Sequence, residues 1–162
     1  MALAGLALFV SACTPGKVII KPTEPIKAYN KLNVVVSSQT FLATIKGNKH
    51  YDNYVALTSE AERQIGGHIR NWAATEWKGS SNPRSRPLTV TLDLQDYNTG
   101  SGALKFFVGS AANGKLVYLV TLTDGSRTVG QFLFNGEVDI TGNNAAFWNM
   151  SKQIEKRIAA TE

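Results

Sequence analysis

A chain of 162 residues, 43% of them hydrophobic, can bury one real core but is short for two ordinary domains. Its formal net charge of +5 is spread over Lys17, Lys21, Lys27, Lys31, Lys46, Lys49 and scattered arginines, so it describes a mildly basic surface rather than a concentrated polyanion-binding block. A single cysteine, Cys13, excludes an internal disulfide and any multi-cysteine metal site.

Residues 2–10, Ala-Leu-Ala-Gly-Leu-Ala-Leu-Phe-Val, form an apolar run. It has the length of a signal-peptide core and falls well short of the roughly 20 residues that span a bilayer. Val10-Ser11-Ala12-Cys13 follow at once and resemble the lipobox of bacterial lipoproteins. Small side chains before the cut suit a peptidase, and a thiol is the natural acceptor for diacylglycerol. The resemblance implies that residues 1–12 are a signal peptide and that Cys13 is lipidated, with palmitate-type acylation, as the first mature residue. Thr14, rather than Asp, after the cysteine implies the outer membrane of the cell envelope, with the domain in the periplasm. Acyl chains would hold such an anchor at about 0.8 kcal/mol per buried methylene. No Lys or Arg precedes the apolar run, so the basic start of the leader is expected upstream of Met1.

Residues 13–31 read as the lipidated cysteine and an extended tether, because Pro15, Pro22 and Pro25 prevent helix and discourage a central strand. A single domain is expected over 32–162. Leu32 to Val36 is a β-branched run that predicts a first strand, extended by Phe41 to Ile45 after a polar break. Residues 46–53 read as a loop. A helix is expected from Ser59, which forms a capping box with Glu62 and is followed by Ile65, Ile69, Trp72 and Ala73 on one face. Gly66-Gly67 inside it costs about 1 kcal/mol each relative to Ala and predicts a close approach to a sheet, or a bend.

After a turn-rich connector over 79–87, Leu88 to Gln95 alternates strictly, with Leu88, Val90, Leu92 and Leu94 on the buried face and Asp93 toward solvent. Leu104 to Val108 is a short apolar segment between two glycine-containing breaks. Leu116–Thr123 and Thr128–Phe134 are β-rich runs joined across Asp124-Gly125, the strongest hairpin signal in the chain. From Asn144 to Ala160, Phe147, Met150, Ile154 and Ile158 define an amphipathic helix with Lys152, Glu155, Lys156 and Arg157 outside. The order strand, helix, strands, helix predicts an α+β fold: a mainly antiparallel sheet with two helices packed on one face.

Leu94-Gln95-Asp96-Tyr97, the Gly100-Ser101-Gly102 break, Val108-Gly109 and the run ending at Asp124-Gly125 together resemble the bacterial lipoprotein group known as domain of unknown function 4410. Where that group carries Ala and commonly Arg after the Gly-Ser turn, this chain has Ala103-Leu104-Lys105. The resemblance covers about half of the mature chain and implies an envelope lipoprotein with a small α+β domain, without implying an activity.

The chain carries no Gly-x-Ser-x-Gly elbow, Walker loop or metalloprotease motif. His50 and Asp52 lack an evident third metal ligand, and His68 lies off the apolar stripe of its helix, so no metal or other cofactor is expected. Asp93, Asp96, Glu137 and Asp139 are the paired carboxylates in β-rich regions; they would suit an envelope hydrolase, the least favoured reading. Trp72 reads as core, whereas Trp77 and Trp148, near helix ends, are candidate binding residues. The expected function is a non-catalytic, lipid-anchored envelope lipoprotein whose domain binds or positions an envelope protein partner. A polysaccharide- or peptidoglycan-binding module is the alternative. Nucleic acid is not expected as a partner of a secreted domain.

Overall fold

Leu88, Val90, Leu92 and Leu94 are all fully buried while Thr89, Thr91 and Asp93 between them are only partly so. That is the two-faced strand their alternation predicts. The computed structural model describes residues 16–80, 84, 86–98, 114–138 and 143–161. Its elements in chain order are β1 (Lys17–Ile20), a 3-10 turn (Ile26–Ala28), β2 (Leu32–Ser37), α1 (Gln39–Thr44), α2 (Tyr51–Thr75), β3 (Leu88–Asn98), β4 (Gly114–Asp124), β5 (Arg127–Val138) and α3 (Asn143–Ala159). The Leu104–Val108 segment lies outside the described residues.

The sheet runs β1-β5-β4-β3-β2. Three of its four pairings are antiparallel, and β2–β3 is parallel, its crossover made by α1 and α2. Register places Val90, Leu122 and Gly130 side by side, and likewise Leu92, Val120 and Phe132. This face receives α2 and α3: Gly66 of α2 sits over Val36 of β2, and Arg157 of α3 lies over the Phe132 ring. The α+β architecture, with the two long helices on one face of a mainly antiparallel sheet, is thus the one the element order predicts.

Asp124 and Arg127 close the β4–β5 hairpin around Gly125-Ser126. Gly125 has φ 63°, and none of the non-glycine residues described has positive φ. Positive φ at the first central residue alone is the pattern of a type II′ turn, whose twist matches the strands it joins.

Three local expectations are corrected. Phe41–Ile45 does not extend β2; the parallel ladder ends at Ser37 opposite Asp93, and the chain turns into α1 so that Phe41 packs edge-on against Tyr54, ring centroids 5.6 Å apart. The long helix starts at Tyr51 rather than Ser59. Asn48 leads into it, its side-chain Oδ1 accepting from the His50 amide at 2.8 Å, and Asp52 complements the helix dipole in the first turn. Ser59, inside the helix, donates its hydroxyl to the Val55 carbonyl instead of capping.

The third correction concerns the tether. Residues 17–31 are part of the folded domain: β1 pairs antiparallel with β5, the Thr23 amide donates to the Val129 carbonyl, and Ile26 and Tyr29 are completely buried. The prolines do not oppose this, because β1 is an edge strand that ends before Pro22.

Candidate functional site

The lipobox residues Val10, Ser11 and Ala12 and the candidate lipidation site Cys13 lie outside the described residues. The described chain begins at Gly16, and Thr14, Pro15 and Gly16 are all that separate Cys13 from β1. Gly16 has φ 89°, and a Cβ there would come within 2.7 Å of the Phe134 ring. Only glycine lets the backbone enter the sheet edge at this point.

β1 leaves Val18, Ile19 and Ile20 between 40 and 46% exposed, flanked by Lys17 and Lys21. A register shift between Val18 and Ile20 bulges the edge. Beside it an open groove of about 430 Å³ runs between β1 and the C-terminal end of α3, lined by Val18, Lys21, Pro22, Phe132, Arg157, Ala160 and Thr161. Its floor is apolar and its two charges are both positive. The Arg157 guanidinium lies 4.8 Å from the Phe132 ring centroid, and its Nε is buried without a hydrogen-bond partner among the described residues.

The N-terminal segment is held to the hairpin by an ionic clamp. Tyr29 donates its hydroxyl to Asp124 Oδ2 at 2.9 Å; Arg86 pairs with Asp124, Arg84 with Glu24, and Arg127 with Glu24 at 2.5 Å. Asp124 is buried and Glu24 partly so, whereas the three guanidinium groups reach solvent. Burial acts to raise the Asp124 carboxyl, but hydrogen bonds from Arg86 and Tyr29 and the Arg86 charge outweigh it and hold the group below the ordinary carboxylate range. Burial, and then the hydrogen bond to Asp124, push the Tyr29 phenol up to about 12.

The two candidate tryptophans have different surroundings. Trp77 is half-buried; its indole N–H donates to the Tyr29 carbonyl at 3.0 Å, and its ring packs on Trp72, which is core as expected. Trp148 on α3 is 49% exposed, with the Lys152 ammonium 5.9 Å from its ring centroid. Trp148 is therefore the one that offers an open aromatic face.

Asp93 and Glu137 do not converge. Asp93 accepts hydrogen bonds from Thr40 and Gln95, both at 2.8 Å, and Asp96 pairs with Lys115 at 3.7 Å. Asp93 stands opposite Leu119 of β4, and Glu137 opposite Lys115. That offset and two strand spacings separate their backbones by roughly 16 Å, against the roughly 5–9.5 Å between the carboxyl groups in glycoside hydrolysis. Asp139 lies outside the described residues. His50, Asp52 and His68 are exposed, and among the described residues no group of three or more His, Cys, Asp or Glu side chains could hold a metal ion. No helix among them is long and apolar enough to cross a membrane.

The clamp and the groove were not visible in the sequence. The β-branched Val18-Ile19-Ile20 run was the available signal for β1, and the surrounding prolines masked it. Nothing local marks Tyr29 and Asp124 as partners.

No protein-family model matches this chain, nor does any curated protein. Among solved structures it is similar to PelC from Paraburkholderia phytofirmans, crystallised as a dodecamer in two crystal forms, one of them of a point variant. The variant aligns at TM-score 0.52 and 10% identity, the other at TM-score 0.50 and 12% identity. Each alignment covers 91% of this chain and 99% of that one, so the two proteins share a fold over nearly their whole length.

Proposed function

We propose that this chain is a lipid-anchored protein of the bacterial outer membrane, acylated at Cys13 after removal of residues 1–12, whose periplasmic domain acts by binding and assembly rather than by catalysis. The observation that carries this reading is the short distance between the lipobox-like motif and the fold. With three residues between Cys13 and β1, an extended chain reaches on the order of 10–14 Å, so an acyl group at Cys13 would hold the domain against the bilayer instead of letting it range on a long tether. The strand and turn patterns that resemble the domain of unknown function 4410 lipoproteins support the same placement. The fold shared with PelC, which forms a dodecamer, supports an assembly role. We take the partner to be an envelope protein, further copies of this chain included.

Intact mass and detergent partitioning of the natively expressed protein, beside Cys13→Ala, test the anchor. Diacylglyceryl mass at Cys13, with partitioning lost in the variant, is the expected result; an unmodified, soluble, full-length product from both would overturn it. Light scattering of the detergent-solubilised protein then reads assembly directly, and a strictly monomeric particle that captures no membrane protein on crosslinking would remove that part of the proposal.

A second reading, a polysaccharide- or peptidoglycan-binding module, is favoured by the exposed Trp148 ring with the Lys152 cation beside it. Sugars stack on such faces. It predicts retention on isolated cell-wall material that Trp148→Ala abolishes and Trp77→Phe leaves intact.

A further inference from the structure

We infer that the β1 edge and the adjoining groove form the membrane-contact surface of the domain, and that the groove takes an anionic phospholipid headgroup. This inference rests on the lipid anchorage proposed above. The occupant follows from two features: where the chain leads, and the chemistry of the surface.

Only three residues separate Cys13 from β1, so an acyl anchor there delivers this edge to the bilayer before any other part of the domain. The opposite edge, β2, is four strand spacings away, roughly 19 Å. At the near edge, Val18, level with Phe132 on the helix-covered face, Ile20, level with Gln131 on the other, and Ile19 at the bulge between them all expose apolar side chains along the rim of the sheet, which is unfavourable in water and favourable at the acyl boundary. Lys17 and Lys21 bracket them, and neither forms an ion pair with the described residues. Lysines in such positions extend their ammonium groups to headgroup level while their methylene stems lie along apolar surface.

The groove repeats this pattern on a smaller scale. Val18, Pro22 and Phe132 make an apolar floor, and Lys21 and Arg157 supply positive charge with no carboxylate among the lining residues. Arg157 Nε is a buried donor without an acceptor among the described residues. A phosphodiester would fit this combination, since it accepts from a guanidinium and leaves its glycerol and acyl carbons to the apolar floor. The surrounding bilayer supplies such groups at high local concentration, and anionic lipid adds an attraction that each nearby lysine strengthens.

The test uses the full chain, acylated in the envelope, purified in detergent and reconstituted into phosphatidylcholine vesicles with or without phosphatidylglycerol. Because the sole native cysteine is the acylation site, Ile19→Cys and, on the far edge, Val35→Cys can each carry a fluorophore. Spin-labelled lipids should quench the Ile19 probe and leave the Val35 probe bright, with stronger quenching when phosphatidylglycerol is present. Lys21→Gln should then lower the docked-to-undocked ratio roughly fivefold. Acyl mass and vesicle flotation are read on the same samples. An acylated, vesicle-bound protein whose Ile19 probe is not quenched overturns the membrane-contact surface while leaving the anchor intact. Copies that crosslink through Ile19→Cys give this edge to a second protomer and overturn it as well. Absence of the acyl mass removes both this inference and the anchorage on which it rests.

Discussion

Tyr29 donates a 2.9 Å hydrogen bond to Asp124 across 95 positions of sequence, joining the segment that follows β1 to the β4–β5 hairpin. Both residues are buried, at 0 and 1% exposure. Their contact turns what would otherwise be a proline-rich leader segment into part of the core. Removing the hydroxyl in Tyr29→Phe deletes one bond but leaves Asp124 its arginine partners, so the expected loss is about 1 kcal/mol. Urea denaturation should show a lower midpoint with an unchanged slope; an unchanged midpoint would mean that the bond contributes nothing net.

Acid should loosen the same clamp. The folded Asp124 carboxyl lies below its unfolded value because its partners favour the charged form. Its stabilising contribution is therefore complete above the unfolded carboxylate value and is lost as the pH falls through the folded one. Thermal melts taken between about pH 6 and pH 2 should show a falling Tm in the wild type and a shallower fall in Asp124→Asn, whose stability is lower at neutral pH. Parallel curves for the two proteins would assign acid sensitivity to other groups.

Alkali acts through the tyrosines. The Tyr29 and Tyr97 phenols are each raised from 10.0 to about 12, chiefly by burial. A raised phenol stabilises the folded state fully below the unfolded value, and that contribution is lost as the pH climbs through the folded one. Tyrosinate absorbance should therefore appear late and cooperatively, together with loss of secondary structure between about pH 10 and pH 12. Early, reversible ionisation of all five tyrosines without unfolding would contradict the buried placement.

Gly16→Ala adds a Cβ at φ 89° against the Phe134 ring. The left-handed backbone alone costs about 1–2 kcal/mol for a residue with a side chain. The cheapest escape is release of β1, so hydrogen exchange over residues 17–20 should accelerate while β3 and β4 stay protected. Uniform protection in the variant would show that the ring yields instead.

Adjacent glycines in α2 should respond in opposite directions. A Cβ at Gly66 would lie 3.0 Å from the Val36 side chain and 2.9 Å from the Arg70 guanidinium, whereas at Gly67 nothing lies within 4 Å. Gly67→Ala should stabilise by about 1 kcal/mol through helix propensity, and Gly66→Ala should destabilise by roughly 1 kcal/mol through overpacking. Thermal melts of the two single variants decide it.

Local sequence determined the elements whose pattern is periodic and whose partners are near. The alternation from Leu88 to Leu94 and the apolar stripe Phe147, Met150, Ile154 and Ile158 each state which face is buried, and each is buried as stated; Asp124-Gly125 marks the hairpin that forms there. Tertiary structure alone decided that Val18-Ile19-Ile20 joins the sheet edge, that β2 lies parallel to β3, that Phe41 turns into a helix, and that Trp77 spends its N–H on Tyr29. It likewise decided the groove, whose walls come from residues 18, 21, 22, 132, 157, 160 and 161. The physical reason is the same in each case. Periodicity records a residue's preference for being inside or outside, whereas strand pairing, ion pairing and cavity walls depend on what the distant chain brings alongside.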